Sequence, residues 1–314
     1  MNRFLYSLVL YFSIPFAIFR LLIKDTHDAS WTRKLKNQFG IVEKIPGRVI
    51  WTHCVSVGEF NASKPLIQKL MSQYPNHQIV ISTSTITGFN AVNNYYKNNV
   101  KHCFFPFDIP IILGSFIRKI NPEICILLET EIWPNLIHIL KKKNIPTALI
   151  NARLSDKSFQ RYDKYSAKLV KASLNNLSLI CAQNSFSSDR FISLGASQEK
   201  MITTGSLKFD SINTIDEKSI KTLKKIIGDR KITVFASTRE GEEKQIIKSY
   251  INSSDNINSL LIIIPRHPER FNEVFKLAKA SGLKVERRST VLQCSEDTDI
   301  LIGDTMGEMM SYYS

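Results

Sequence analysis

The chain has 314 residues, a mass of 35.9 kDa, 43% hydrophobic residues and a formal net charge of +14. That length fits two domains, and the apolar share is enough to give each a core, which excludes a disordered chain. The cationic excess points to an anionic partner, whether nucleic acid, a membrane surface or a phosphorylated substrate; the five scattered cysteines, none in C-x-x-C spacing, exclude a zinc ribbon, argue against a disulfide scaffold and imply a reducing compartment.

From the amino end, Phe4 to Phe19 carries no charge, with Arg3 before it and Arg20 after it. A run of this length either spans a bilayer, with Arg20 reaching for the headgroups, or lies in the interface; Pro15 kinks it in both cases. No small-x-small cleavage site follows, only Lys24, Asp25 and His27, so a membrane anchor over residues 1–23 is expected rather than a cleaved signal. Arg33, Lys34 and Lys36 add cations within reach of anionic lipid, and positive charge around the anchor places the body in the cytoplasm.

Strands and helices then alternate. Strands are predicted at Arg48 to Val55, Gln78 to Ser82, His102 to Phe105, Ile124 to Leu128, Thr147 to Ile150 and Leu179 to Ala182. Helices fill the gaps at Glu59 to Tyr74, Gly88 to Tyr96, Pro110 to Ile120, Pro134 to Lys143, Lys157 to Ala172 and Ser185 to Leu194. Ser211 to Lys218 reads as an interdomain link. A second series follows, with strands at Thr233 to Ala236, Leu260 to Ile264, Leu283 to Glu286 and Ile300 to Ile302 and helices at Glu240 to Ile251 and Pro268 to Ala280. The pattern predicts an α/β protein with two doubly wound parallel sheets, in residues 24–212 and 213–314, and ligand at the carboxyl ends of the strands. A doubly wound sheet usually has five or six strands; the second series writes about four, so a chain truncated at its carboxyl end is expected.

There is no P-loop, no G-x-G-x-x-G, no H-E-x-x-H and no G-x-S-x-G. What stands out is a set of polar residues at strand ends: Ser56-Val57-Gly58-Glu59, Glu129-Thr130-Glu131-Ile132-Trp133-Pro134, Gly205-Ser206-Leu207-Lys208-Phe209-Asp210, Ala236-Ser237-Thr238-Arg239-Glu240-Gly241, Pro265-Arg266-His267-Pro268 and Gly303-Asp304-Thr305-Met306-Gly307-Glu308. Glu59, in a first helical turn, suits either backbone capping or a general base. Of the two carboxylates Glu129 and Glu131, at most one is expected to cap. Lys208 either meets a leaving phosphate or pairs with Asp210, and Thr238 to Gly241 suits an anion nest or an N-cap. Asp297-Thr298-Asp299 imitates a metal-binding D-x-D but precedes a strand, so it reads as a polar turn, and His53, His102 and His138 lack metal-ligand spacing.

Taken together, W-T-H-C-V-S-V-G-E, I-S-T-S-T-I-T-G, F-P-F-D-I-P, E-T-E-I-W-P-N-L-I, N-A-R-L-S, T-G-S-L-K-F-D, A-S-T-R-E-G-E-E, P-R-H-P-E-R-F and G-D-T-M-G-E closely resemble the 3-deoxy-D-manno-octulosonic acid (Kdo) transferases of lipopolysaccharide assembly. The resemblance implies a GT-B fold of two Rossmann-like domains, amino-terminal for the acceptor and carboxyl-terminal for the nucleotide sugar. It implies an inverting, metal-independent transfer without a cofactor, from CMP-Kdo to a lipid A precursor (lipid IVA), at the cytoplasmic face of a bacterial inner membrane. Carried over by motif, Glu59 is the proton acceptor, Glu129 and Lys208 are transition-state stabilisers, and Pro265, Arg266, Met306, Gly307 and Glu308 contact CMP. Two departures stand out. Arg239 replaces the His of the family's T-H-E-G, and the family's later G-G-H-N-P-L-E-like segment is not in this sequence. A non-catalytic remnant of such a transferase is therefore an alternative. A basic, membrane-tethered nucleic-acid binder is another, though the chain has no aromatic-interleaved basic stretch and no helix-turn-helix signal, so no nucleic-acid partner is expected.

Overall fold

The computed structural model describes residues 2–23, 29–214, 217–253 and 259–313. The chain divides into two compact units, Met1–Ser211 and Ile212–Ser314. Part of the predicted link over residues 211–218 lies outside the described residues; its described parts belong to a 3-10 helix ending at Thr214 and to a helix starting at Glu217.

The first unit runs α1 (Arg3–Ile23), α2 (Ala29–Gln38), β1 (Arg48–His53), α3 (Val57–Gln73), β2 (His77–Thr83), α4 (Ile86–Tyr96), β3 (Lys101–Phe104), α5 (Pro110–Ile120), β4 (Pro122–Leu128), α6 (Pro134–Lys142), β5 (Thr147–Ala152), α7 (Asp156–Asn176), β6 (Leu179–Ala182), α8 (Ser185–Ser193) and β7 (Met201–Thr203). All seven strands pair in parallel in the order β3-β2-β1-β4-β5-β6-β7. Alternate side chains serve opposite faces. Thus Val49, Trp51, Cys125 and Leu127 join one buried cluster while Ile50, Ile126 and Leu128 join the other. Helices cover both faces, which is why the strands read as continuous apolar runs rather than as an alternation of apolar and polar. Several helix starts are written locally. Ser56, Thr85, Ser155 and Asn184 sit in extended N-cap conformations and accept a hydrogen bond from the backbone N–H three residues on, while Pro110 and Pro134 occupy first-turn positions that lack an acceptor anyway.

The order reverses between β1 and β4, the chain's first strand pairing with β2 on one side and β4 on the other. In such sheets ligands bind outside the carboxyl ends of the strands at this switch point. The segments after β1 and β4 are Val55 to Glu59 and Glu129 to Trp133.

The second unit contains α9 (Glu217–Ile227), β8 (Lys231–Thr238), α10 (Glu242–Asn252), β9 (Ser259–Pro265), α11 (Phe271–Lys279), β10 (Val285–Arg287), β11 (Ile300–Ile302) and the short α12 (Met309–Tyr312). Its strands also pair in parallel, in the order β10-β11-β9-β8. Here too Leu260, Ile262 and Ile264 face one cluster, and Leu261 and Ile263 the other.

The expected anchor forms the helix α1. Its flanking residues Lys24, Asp25 and His27 lie outside the described residues. Among the described residues no helix is long and apolar enough to cross a membrane. Its first two turns are tied to the unit by polar contacts: Ser7 donates its hydroxyl to Asn135 Oδ1 at 3.0 Å, Arg3 reaches the same oxygen at 3.3 Å, and Tyr6 hydrogen-bonds Asp108. Asp108 is 3% exposed and accepts the first N–H groups of α6, from Asn135 at 3.1 Å and Leu136 at 2.8 Å. Burial pushes its carboxyl up to about 7 even though those N–H donors favour the charged form. Phe4, Leu5, Leu8, Val9 and Phe12 remain exposed. Two of the cations after the anchor have partners within the unit. Arg33 donates to the His102 carbonyl at 2.9 Å and lies over the Phe89 ring, and Lys34 lies over Trp31 and Phe104.

Candidate active site

The turn after β1 is built backbone first. Cys54 N donates to Ser82 O at 2.9 Å, carrying the chain one residue beyond the strand before Ser56 caps α3. Glu59 lies in the first turn of α3 and reaches back, its Oε2 accepting from Val55 N at 2.5 Å. The capping reading of Glu59 is therefore realised. The same hold also fixes the carboxylate in a half-buried position, and burial pushes its pKa up to about 7 against the pull of the Val55 N–H. The carboxylates of Glu131 and then Glu129 push it further in the same direction. A carboxyl near neutrality is what a general base needs at physiological pH, so the backbone contact and the property of a base are compatible in one side chain.

After β4 the backbone turns sharply. Glu129 adopts φ +54, a left-handed conformation that a non-glycine residue seldom occupies, while its N–H still pairs with Ile150 O at 3.0 Å. Such outliers gather at functional sites. Neither Glu129 nor Glu131 caps α6: Trp133 is the N-cap residue and makes no side-chain cap bond, and Asp108 serves the N–H groups instead. Glu131 Oε2 accepts the indole N–H of Trp133 at 2.7 Å. It also stands 3.7 Å from Nε2 of His53, a fully buried residue of β1. That Nε2 has no hydrogen-bond partner, while Nδ1 meets Ser82 Oγ at 2.9 Å and Ser82 O at 3.1 Å. Phe105 stacks on the His53 ring at 3.9 Å between centroids and packs against Trp133 at 4.9 Å, so the wall behind the carboxylates is aromatic.

Lys208 arrives from the far end of the unit. Its neighbour Leu207 donates its N–H to Asn151 Oδ1 at 3.1 Å and packs against the cluster holding Cys54, Phe60 and Leu128. Asn151 itself sits at φ +51 near the end of β5. The loop is thus anchored beside the residues that flank Glu59 and Glu129, with Lys208 exposed.

In the second unit, Pro265 closes β9 and Arg266 follows, its N–H donating to Thr238 O at 3.0 Å with the side chain exposed. After β11, Gly303 donates to Ile263 O at 2.8 Å; a Cβ there would meet Ile264 Cγ1 at 2.8 Å, so glycine is required. Met306 is exposed, Gly307 turns at φ +88, and Glu308 is held by Arg288 at 2.7 Å and by Thr305. The Thr238 to Gly241 stretch is a cap: Glu242 Oε2 accepts from Arg239 N at 2.8 Å, while fully buried Glu243 takes Thr238 Oγ1 at 2.8 Å and both Arg270 nitrogens at 2.8 and 3.1 Å. Asp297 pairs with Lys284 and Ser295, and Asp299 accepts from Lys284 N at 2.8 Å, so the D-x-D stretch is a polar turn.

The structure therefore brings Glu59 and Glu129 into one electrostatic neighbourhood, places the Lys208 loop beside them, and sets Pro265 at the end of β9, Arg266 just after it, and Met306, Gly307 and Glu308 after β11 of the second unit. Two residues escaped sequence reasoning. Glu131 was visible in the motif but its proximity to Glu59 was not, and His53 stands out in the sequence only as a histidine without metal-ligand spacing.

Two Rossmann-like units, each with polar residues at the carboxyl ends of its parallel strands, define an α/β protein of the GT-B fold class. A UDP-GlcNAc 2-epimerase from Neisseria meningitidis, solved with UDP-GlcNAc bound, superposes over 84% of this chain and 74% of its own with a TM-score of 0.55; at 13% identity it shows the fold alone. The family described as 3-deoxy-D-manno-octulosonic-acid transferase matches residues 33–211. A 3-deoxy-D-manno-octulosonic acid transferase of Haemophilus influenzae is 38% identical over 100% of this chain and 74% of its own length. One from Bordetella pertussis is 30% identical over 84% of this chain and 63% of its own. The chain belongs to the Kdo transferase family.

Proposed function

We propose that the chain transfers Kdo from CMP-Kdo to a lipid A precursor, lipid IVA, with inversion and without a metal ion. The observation that carries this is Glu59: a carboxylate held by the Val55 N–H and raised to about 7 by burial and by neighbouring carboxylates. An acceptor hydroxyl attacks the anomeric carbon of Kdo, its proton passes to Glu59, and the bond to the CMP phosphate oxygen breaks, releasing CMP. A single displacement from the face opposite the leaving group inverts the centre. Oxocarbenium character developing at the anomeric carbon is stabilised by the negative charge of Glu129. Lys208 supplies positive charge to the departing phosphate, the role a metal ion fills elsewhere. Pro265 and Arg266, with Met306, Gly307 and Glu308, hold CMP; the exposed guanidinium of Arg266 suits an anionic group. The test is transfer from CMP-Kdo to lipid IVA by the full chain and its Glu59→Gln variant. Turnover is expected to fall by about 10²-fold or more with CMP binding intact; turnover within about threefold of the parent removes Glu59 from the role.

The reading includes attachment to the cytoplasmic face of a bacterial inner membrane. The exposed Phe4, Leu5, Leu8, Val9 and Phe12 on a helix tied down by Arg3, Tyr6 and Ser7 support an interfacial position, with the apolar side chains in the acyl boundary. Deleting residues 1–23 is expected to move the protein to the soluble fraction; quantitative pelleting with membranes in high salt after that deletion contradicts it.

A further inference from the structure

The first unit contains a second feature that the transfer reaction does not use. A cavity of about 950 Å³ opens beside the edge strand β3, bordered by α2, the 41–46 loop and the carboxyl end of α4. It reaches Lys101, the first residue of β3. Glu59 and Glu129 instead follow the carboxyl ends of β1 and β4. In a parallel sheet these are opposite ends of the strands, so the cavity is separate from Glu59 and Glu129.

Its lining is strongly one-signed. Arg33, Lys36, Lys44, Lys97 and Lys101 line it, and Glu43 is the one carboxylate in the lining, a balance of five cations to one anion. His102 also lines it, but burial and the nearby Arg33 hold its imidazole far below the usual range, at about 3, so it is neutral there and adds no charge. Lys36, Lys44, Lys97 and Lys101 form no ion pair or hydrogen bond with another described side chain. Arg33 is held in place by the His102 carbonyl at 2.9 Å. Two of the lysines have a second, local use: Lys36 lies in the last turn of α2 and Lys97 caps α4, where a cation offsets the helix dipole. That use does not extend to Lys44 on a loop or Lys101 at a strand start. Lys97 moreover sits at φ 50, ψ −116, a backbone conformation that glycine adopts freely and an L residue does not. Like charges gathered on concave walls focus a positive potential and raise the local concentration of anions.

We propose that this cavity binds a phosphomonoester or pyrophosphate group, the chemistry shared by an anionic lipid headgroup and a free phosphorylated metabolite. Lysines act as point charges around a phosphate, and Arg33 adds a planar donor with a fixed orientation. The site is distinct from the residues assigned to CMP and to the Kdo centre.

Calorimetry on the full chain in neutral detergent tests it, with inorganic pyrophosphate and a short-chain phosphatidate below its micelle concentration as probes. Saturable binding that weakens with added salt is expected, reduced at least tenfold in a Lys97→Gln/Lys101→Gln variant whose CMP-Kdo transfer is unchanged. A Lys36→Gln/Lys44→Gln variant, altered on separate elements, is expected to show the same loss and serves if the first pair does not fold. Phosphatidate binding at least tenfold tighter than pyrophosphate assigns a lipid headgroup; equal affinity assigns a free phosphate. No heat with either probe, or binding that neither double variant weakens, overturns the proposal.

Discussion

The two units treat their buried charges in opposite ways. In the second unit, Glu243 is fully buried yet completely answered by Arg270 and Thr238, and Glu308 is answered by Arg288 and Thr305. Arg270 holds Glu243 below the usual carboxylate range even though burial alone would raise it. In the first unit, Glu59, Glu129 and Glu131 crowd together, the pKa of Glu59 is raised, and the one imidazole nitrogen nearest them, His53 Nε2, has no hydrogen-bond partner. A neutralised pair fixes a backbone. A crowded set of like charges stores a preference for taking up a proton, which is the property a base needs. Glu243 thus acts as frame, whereas Glu59 is left able to take up a proton near neutrality.

The sharpest break in that contrast is at the frame. Arg270→Ala leaves Glu243 buried without its cation, and breaking a buried pair in this way costs about 3–5 kcal/mol. Denaturant unfolding is expected to show a destabilised second unit while the first unit's transition stays put. A change below about 1 kcal/mol would place the pair among surface ion pairs and dissolve the contrast. A smaller effect sharpens the chemical side. Glu131→Gln removes the carboxylate that pushes hardest on Glu59 after burial, so the Glu59 pKa is expected to fall and the acid limb of the kcat/KM profile to move to lower pH. A limb that stays put, or moves up, shows that Glu131 does not tune the base.

Much of the frame was legible in the sequence because it is written locally. Continuous apolar runs such as Leu260 to Ile264 announce strands covered on both faces, and Pro134 or Ser56 announces the helix behind it. Predicted ends differ from observed ones by a few residues where capping extends a helix, as at Val57 ahead of Glu59. The short strand β7 and the helices α2 and α9 were not predicted. Three residues carry little periodic signal, and α2 is mostly polar with its apolar contacts supplied by β3 and α4. The candidate site was legible only in pieces. Glu59 and Glu129 stand out as polar residues at strand ends, but the His53 to Glu131 approach joins positions far apart in the chain through the β1 and β4 pairing. The left-handed turn at Glu129 has no sequence marker, because no glycine is there. The partners of Arg33 and Lys34 were not legible either, because the carbonyl and rings that receive them come from later elements.

The central claim is that Glu59 is a base tuned to neutrality by its surroundings, and the pH dependence of kcat/KM for transfer by the full chain tests it most directly. A base works only when deprotonated, so activity must fall as pH drops through its pKa in the free protein. With Glu59 raised to about 7, the acid limb is predicted to bend near pH 7 and to fall tenfold for each further unit below it. A profile that stays flat down to about pH 5, as an unperturbed glutamate would give, would contradict the account.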